Sequence, residues 1–193
     1  ESSRASAEIR NGNQLSYNNL VDLDAALALA REFDEPFVAV CKHNNPCGVA
    51  RATTLAESYR RAYMADRVAA FGGAIVVNRE VDRETAEMIA ASYAEVVAAP
   101  EYAPGVLDIF ARWKNLRVMR IGNMARLADY IGQRVLDFRA LVDGGLVLQW
   151  SYAPAVRTVA DFLPAEARRE GRSYHVARQA TPAELEDMLF GWL

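Results

Sequence analysis

Seven consecutive residues, Lys42-His43-Asn44-Asn45-Pro46-Cys47-Gly48, concentrate the chemically capable side chains of this 193-residue chain. Of its 22 basic residues only two are lysines, Lys42 and Lys114, and its two histidines are His43 and His175. Half of each kind therefore stands side by side. Arg cannot replace a Lys that must act as a compact, tunable ammonium. Imidazole is the side chain whose protonation is set most readily near neutral pH. A neutral His43 can take a proton from an attacking amine or hydroxyl. A cationic Lys42 can stabilise negative charge developing on a carbonyl oxygen. Asn44 and Asn45 add amide donors and acceptors, Pro46 stiffens the segment, and Gly48 permits an unusual backbone angle or a close approach. The plainer reading is a polar turn with a surface lysine and a capping histidine.

Cys41, His43 and Cys47 raise the question of zinc. Zinc deaminases pair an H-x-E segment with a P-C-x-x-C segment. Here Asn45 stands where the Glu would be, and Pro46-Cys47 is not followed by a second Cys. A four-ligand structural site also lacks candidates. No metal is expected, and both cysteines read as packing residues. Phe71-Gly72-Gly73, ahead of an apolar run, lets backbone N–H groups approach a ligand. It lacks the spacing of a dinucleotide fingerprint or a P-loop, and a tight turn is the alternative. Glu95 opens a further apolar run, either as an exposed carboxylate or as an acceptor for a ligand's amino or hydroxyl groups. His175 is expected at the surface, and Trp113, Trp150 and Trp192 read as packing.

The elements that must hold these residues follow from periodicity and punctuation. Residues 1–14 are polar, and Leu15–Leu20 reads as a loop or short strand. A helix is expected from Asp22, its N-cap, to Glu35-Pro36. The continuous apolar run Phe37–Cys41 suits a strand buried on both faces, as in a parallel sheet. Thr54-Leu-Ala-Glu57 has the capping-box pattern of a helix running to about Asp66. Further strands are expected at Ala74–Val77, Glu95–Ala99 and Leu116–Ile121, with helices from Asp82 to Ser92 and Pro104 to Lys114 between them. Alternating strands and helices imply an open α/β sheet with helices on both faces. In such sheets ligands bind beyond the carboxyl ends of strands, which is where the Lys42-His43 segment would lie. Asp143-Gly144 marks a hairpin between two further runs. Residues 150–173 read as an irregular excursion. Thr181, Pro182 and Glu184 open a last helix.

Composition narrows the class. The chain is 52% hydrophobic and 24% charged, with a net charge of −3. That balance suits a globular domain and argues against nucleic acid or an anionic membrane surface as the main partner. No apolar run approaches the ~20 residues of a membrane span. Two cysteines are too few for a disulfide scaffold, so reduced thiols in a cytoplasm are expected.

Taken in order, the motifs resemble one family. Leu15-Ser-Tyr-Asn-Asn-Leu20 with Asp24-Ala-Ala-Leu27, the Lys42–Gly48 segment, Ala70-Phe-Gly-Gly73, Glu95–Pro100, Leu136-Asp-Phe-Arg139, Gly144–Gln149 and Thr181–Trp192 are similar to AICAR transformylase, phosphoribosylaminoimidazolecarboxamide formyltransferase. This is one region of the bifunctional purine-biosynthesis proteins, which usually carry an IMP cyclohydrolase domain as well. The resemblance implies a three-layer α/β/α, cytidine-deaminase-like subdomain over residues 15–193, without the deaminases' metal. It implies formyl transfer from the co-substrate 10-formyltetrahydrofolate to the 5-amino group of AICAR, giving FAICAR. His43 would be the general base and Lys42 the oxyanion stabiliser. Asn45, Phe71, Gly72 and Glu95 would contact substrate. A homodimer, or a partner chain supplying a second subdomain, is implied. So is a potassium site in that second half, which is expected beyond Trp192 together with most folate contacts. The family's Arg-Tyr-Gly segment is not found ahead of Leu15. The fragment is thus expected to be inactive alone. The competing reading is a non-catalytic nucleotide-binding or assembly subunit that needs a partner chain.

Overall fold

A computed structural model describes residues 7–193. The chain divides into two compact units, one ending at Ile131 and the other spanning Gly132–Leu193, a division that the sequence reading did not draw. Among the described residues the first unit holds one sheet and four α-helices, followed by a 3-10 helix at Met124–Tyr130. In chain order the strands and α-helices are β1 (Glu8–Asn11), α1 (Tyr17–Ala30), β2 (Phe37–Lys42), β3 (Asn45–Arg51), α2 (Leu55–Ala65), β4 (Gly73–Val77), α3 (Arg83–Ala90), β5 (Ala94–Ala99), α4 (Val106–Phe110) and β6 (Arg117–Arg120). The sheet order is β1-β6-β5-β4-β2-β3. β4, β5 and β6 run parallel. β2 is antiparallel to both of its neighbours, β3 and β4, and β1 is antiparallel to β6.

The fold is therefore mixed α/β, and the parallel setting expected for β2 does not hold. Its continuous apolar run arises because helices cover both sides of a mixed sheet. In-register residues Val40, Ile75, Val97 and Val118 belong to one core with Leu55, Tyr59, Ile89 and Phe110 of α2, α3 and α4. Their neighbours Ala39, Val76, Ala98 and Met119 alternate to the other face, and α1 packs there on β2 and β4. That helix contributes buried Leu23, Ala26, Leu27 and Ala30.

Several local readings are corrected. Helix α1 starts at Tyr17, not Asp22: Ser16 is its N-cap, and the Ser16 and Asn19 side chains bond each other's backbone N–H reciprocally. The apolar count favoured the later start, but the cap decides it. Residues Glu8–Asn11, expected as part of a polar segment, form edge strand β1. Asn45–Arg51, where no strand was expected, is strand β3. Helix α4 is shorter than Pro104–Lys114, beginning after Gly105 and leaving Trp113 in the following turn. The Thr54 cap is half realised: its Oγ1 accepts Glu57 N–H, but the Glu57 carboxylate turns instead to Arg60 and Arg61.

The second unit contains hairpin β7 (Leu136–Ala140)–β8 (Leu146–Trp150), hairpin β9 (Glu166–Arg169)–β10 (Arg172–His175), and α5 (Pro182–Trp192). The α5 capping box is complete between Thr181 and Glu184, as expected. The stretch expected to be irregular contains a 3-10 turn, Val159–Asp161, and strand β9. No residue of this unit is buried. Among the described residues no helix is long and apolar enough to cross a membrane.

Candidate active site

Lys42 ends β2 and Asn45 begins β3, so the Lys42–Gly48 segment is a strand end, a two-residue hairpin turn made by His43 and Asn44, and the start of the next strand. Such turns place both central residues in the left-handed region. His43 and Asn44 have φ of +56° and +63°, a conformation that costs about 1 kcal/mol or more for each residue with a Cβ. Asn and His tolerate it better than most side chains. Two bonds hold the turn. Asn44 N–H donates to Asp22 Oδ1 of α1 at 2.7 Å, and Asn45 Nδ2 donates to the His43 carbonyl at 3.0 Å. The His43 side chain is exposed at the tip.

Behind the turn, Gly48 is buried where β3 meets α2. A Cβ there would sit 2.0 Å from the Ala62 carbonyl oxygen. This glycine serves close approach, not an unusual backbone angle. The register slips between Val40 and Cys41, opposite Gly48 and Pro46, leaving Cys47 as an extra residue. Cys41 is fully buried, and burial, with Cys47 and Asp22 adding, pushes its thiol up to about 12. Burial also raises the Cys47 thiol, opposed by nearby Lys42. Thiols held protonated in this way are poor zinc ligands or nucleophiles at neutral pH. Among the described residues no group of three or more His, Cys, Asp or Glu is placed to hold a metal ion.

Antiparallel pairing sets Cys41 of β2 opposite Ala74 of β4. The carboxyl end of β2 thus shares one end of the sheet with the amino ends of β4 and β5. This differs from the expected arrangement, where carboxyl ends alone would form the site, and it explains how distant motifs meet. Lys42 Nζ donates to the Phe71 carbonyl at 2.6 Å, the short distance of a charge-assisted bond. Phe71 is 62% exposed, and its ring lies 4.9 Å from the Tyr93 ring, tilted by 38°. Gly72 has φ +74°, and its N–H donates to the Tyr93 carbonyl at 2.8 Å. A side chain at Gly72 would press on Tyr93 and come within 3.9 Å of Glu95 Oε1. Glu95 is the extra residue of a β-bulge between the Gly73–Ala94 and Ala74–Val96 pairs. Bulges re-aim a side chain, and here the carboxylate reaches buried Asn19 of α1, whose Nδ2 donates to Glu95 Oε2 at 2.9 Å.

All six residues selected from the sequence, Lys42, His43, Asn45, Phe71, Gly72 and Glu95, therefore lie at one end of one sheet. His175 lies on exposed β10 in the second unit. Sequence reasoning missed the parts played by Asn19, Asp22 and Tyr93. Asn19 had a signal, because Ser16-x-x-Asn19 is a cap pattern that moves the helix start and puts Asn19 and Asp22 on one face. Nothing local marks Tyr93, whose role comes from tertiary contacts.

The family model described as AICARFT/IMPCHase bienzyme matches residues 1–193. The bifunctional purine biosynthesis protein PurH of Sorangium cellulosum is 44% identical over 94% of this chain and 32% of its own length. The PurH proteins of Clostridium perfringens and Caldicellulosiruptor saccharolyticus are 38% and 34% identical, covering 96% and 100% of this chain. The chain thus spans about a third of the length of these curated relatives. With a family model matching from end to end, the chain belongs to the AICARFT/IMPCHase bienzyme family.

Proposed function

We propose that this chain supplies the base and oxyanion side of an AICAR formyltransferase site, in a cytidine-deaminase-like subdomain of the cytoplasm. The reaction is transfer of the formyl group of 10-formyltetrahydrofolate to the 5-amino group of AICAR. The observation that carries the reading is the convergence of Lys42-His43 with Phe71-Gly72 and Glu95 at one sheet end.

The AICAR amine is a weak nucleophile because its lone pair is delocalised into the ring and carboxamide. Its attack on the formyl carbon needs proton removal as the N–C bond forms. His43, exposed at the tip of a held turn, is suited to take that proton. The formyl oxygen gains negative charge in the tetrahedral intermediate, and the Lys42 ammonium can stabilise it, moving from or sharing its present bond to Phe71. Glu95 can accept hydrogen bonds from AICAR's polar edge. The Phe71 ring offers a flat apolar platform, the Gly72 backbone allows close approach, and Asn45 borders the turn. General base catalysis contributes about 10²–10⁴-fold, and an oxyanion donor about 3–4 kcal/mol. The other contacts, including the folate pocket and any potassium ion, would come from a second subdomain. That subdomain would belong to the same polypeptide or to a partner, consistent with a homodimer.

The test is a chimera in which this chain replaces the aligned third of the Sorangium cellulosum protein. Formyl transfer by the chimera, lost in H43A, supports the proposal. A chimera that binds AICAR but transfers no formyl group would favour the nucleotide-binding reading.

A further inference from the structure

The His43 carbonyl and the Asn44 N–H belong to one peptide plane, and that plane is clamped at both ends. The carbonyl accepts from Asn45 Nδ2 at 3.0 Å, and the N–H donates to Asp22 Oδ1 at 2.7 Å. Hairpin pairing closes on Lys42 and Asn45 and leaves the Asn44 N–H outside the ladder. The acceptor reaches it from a different element. Asp22 is only partly exposed and sits on α1, one residue before fully buried Leu23, so the carboxylate is carried by a packed helix. Asn19, three residues earlier on the same helix, holds Glu95. One helix face therefore fixes two sides of the candidate site.

We propose that Asp22 is a positioning residue for His43. By holding the plane that follows the His43 Cα, it fixes the backbone angles on either side of that plane. The imidazole is then left only its own side-chain rotations, and its aim at the reacting amine is set before substrate arrives. The catalytic meaning rests on reading His43 as the base. The clamp itself does not, so the two are tested separately.

In the chain alone, D22A is expected to speed hydrogen exchange at the Asn44 amide at least ~10-fold, as loss of a charge-assisted bond implies. It should also move the His43 ring resonances toward those of an unstructured histidine. Amides of β4 and β5 should keep their protection, which reports an intact fold. D22N retains an acceptor oxygen and should lie close to wild type. In the chimera, D22A should lower kcat about 30–100-fold with the AICAR KM within about threefold, and D22N should recover most of the rate. Unchanged Asn44 exchange and His43 resonances in D22A would overturn the proposal. So would a D22A kcat near wild type in a chimera that H43A inactivates. If H43A keeps the rate, the base assignment falls and the positioning role falls with it. The exchange data tell that result apart from a missing clamp.

Discussion

At the scale of single residues, burial separates the candidate catalytic groups from the thiol beside them. Lys42 and His43 stand at a strand end and a turn tip, while Cys41, one position earlier, is wholly enclosed. Enclosure moves the Cys41 thiol from its ordinary value near 9 to about 12. The sign of the linked stability follows. Between those values the unfolded chain has lost the proton and the folded chain keeps it, so the unfolded state binds fewer protons and stability falls as pH rises. Chemical denaturation between pH 9 and 12 should show that fall, and C41A should reduce its slope by up to ~1.4 kcal/mol per pH unit. An unchanged slope in C41A would contradict the burial argument. Iodoacetamide should leave Cys41 unlabelled at neutral pH in the folded protein. The pairing of Lys42 with His43 was legible in the sequence because a chain so poor in both residues sets them side by side. The bond from Asn19 to Glu95 was not legible, since 76 residues separate the partners and only the fold brings them together.

At the scale of elements, the antiparallel placement of β2 is what brings the candidate residues to one end of the sheet. A parallel β2 would have sent Lys42-His43 to the opposite end of the sheet from Phe71, Gly72 and Glu95. The strand itself was legible from its apolar run, but its direction was not. A run buried on both faces looks the same whichever way its neighbours point. The β3 hairpin was hidden for a related reason: His43-Asn44 is not the usual Asn-Gly turn signal, and Pro46 within the following strand argues against strand assignment. Gly48 tests the packing that holds this hairpin. In G48A the new methyl would meet the Ala62 carbonyl of α2, backbone that cannot swing aside. A loss of about 1–3 kcal/mol or more in denaturant unfolding is expected. Wild-type stability in G48A would mean that β3 and α2 are not packed as described.

At the scale of the molecule, the two units differ in what stabilises them. The first has a two-sided core, while none of the residues 132–193 is buried. On the β7–β8 hairpin, Leu136 faces Trp150, Phe138 faces Leu148 and Ala140 faces Leu146, giving one apolar face that is open to solvent in this chain. A two-stranded hairpin without cover is marginal in water, so amide exchange across 132–193 should be complete long before that of β4 and β5. Equal protection in the two units would contradict this. The β7–β8 hairpin and α5 were legible from turn and cap residues, whereas the β9–β10 hairpin was not, because its stretch read as irregular. The unit's lack of a core was not legible either, because periodicity reports which face is apolar and not whether anything covers it. Whether the Lys42-His43 turn is a formyl-transfer centre is decided by H43A in the chimera with the Sorangium cellulosum protein. FAICAR formation is expected to fall by ~10²-fold or more while AICAR affinity stays within a few-fold. An H43A chimera that keeps more than about a tenth of the rate, a loss well below what a general base contributes, would contradict it.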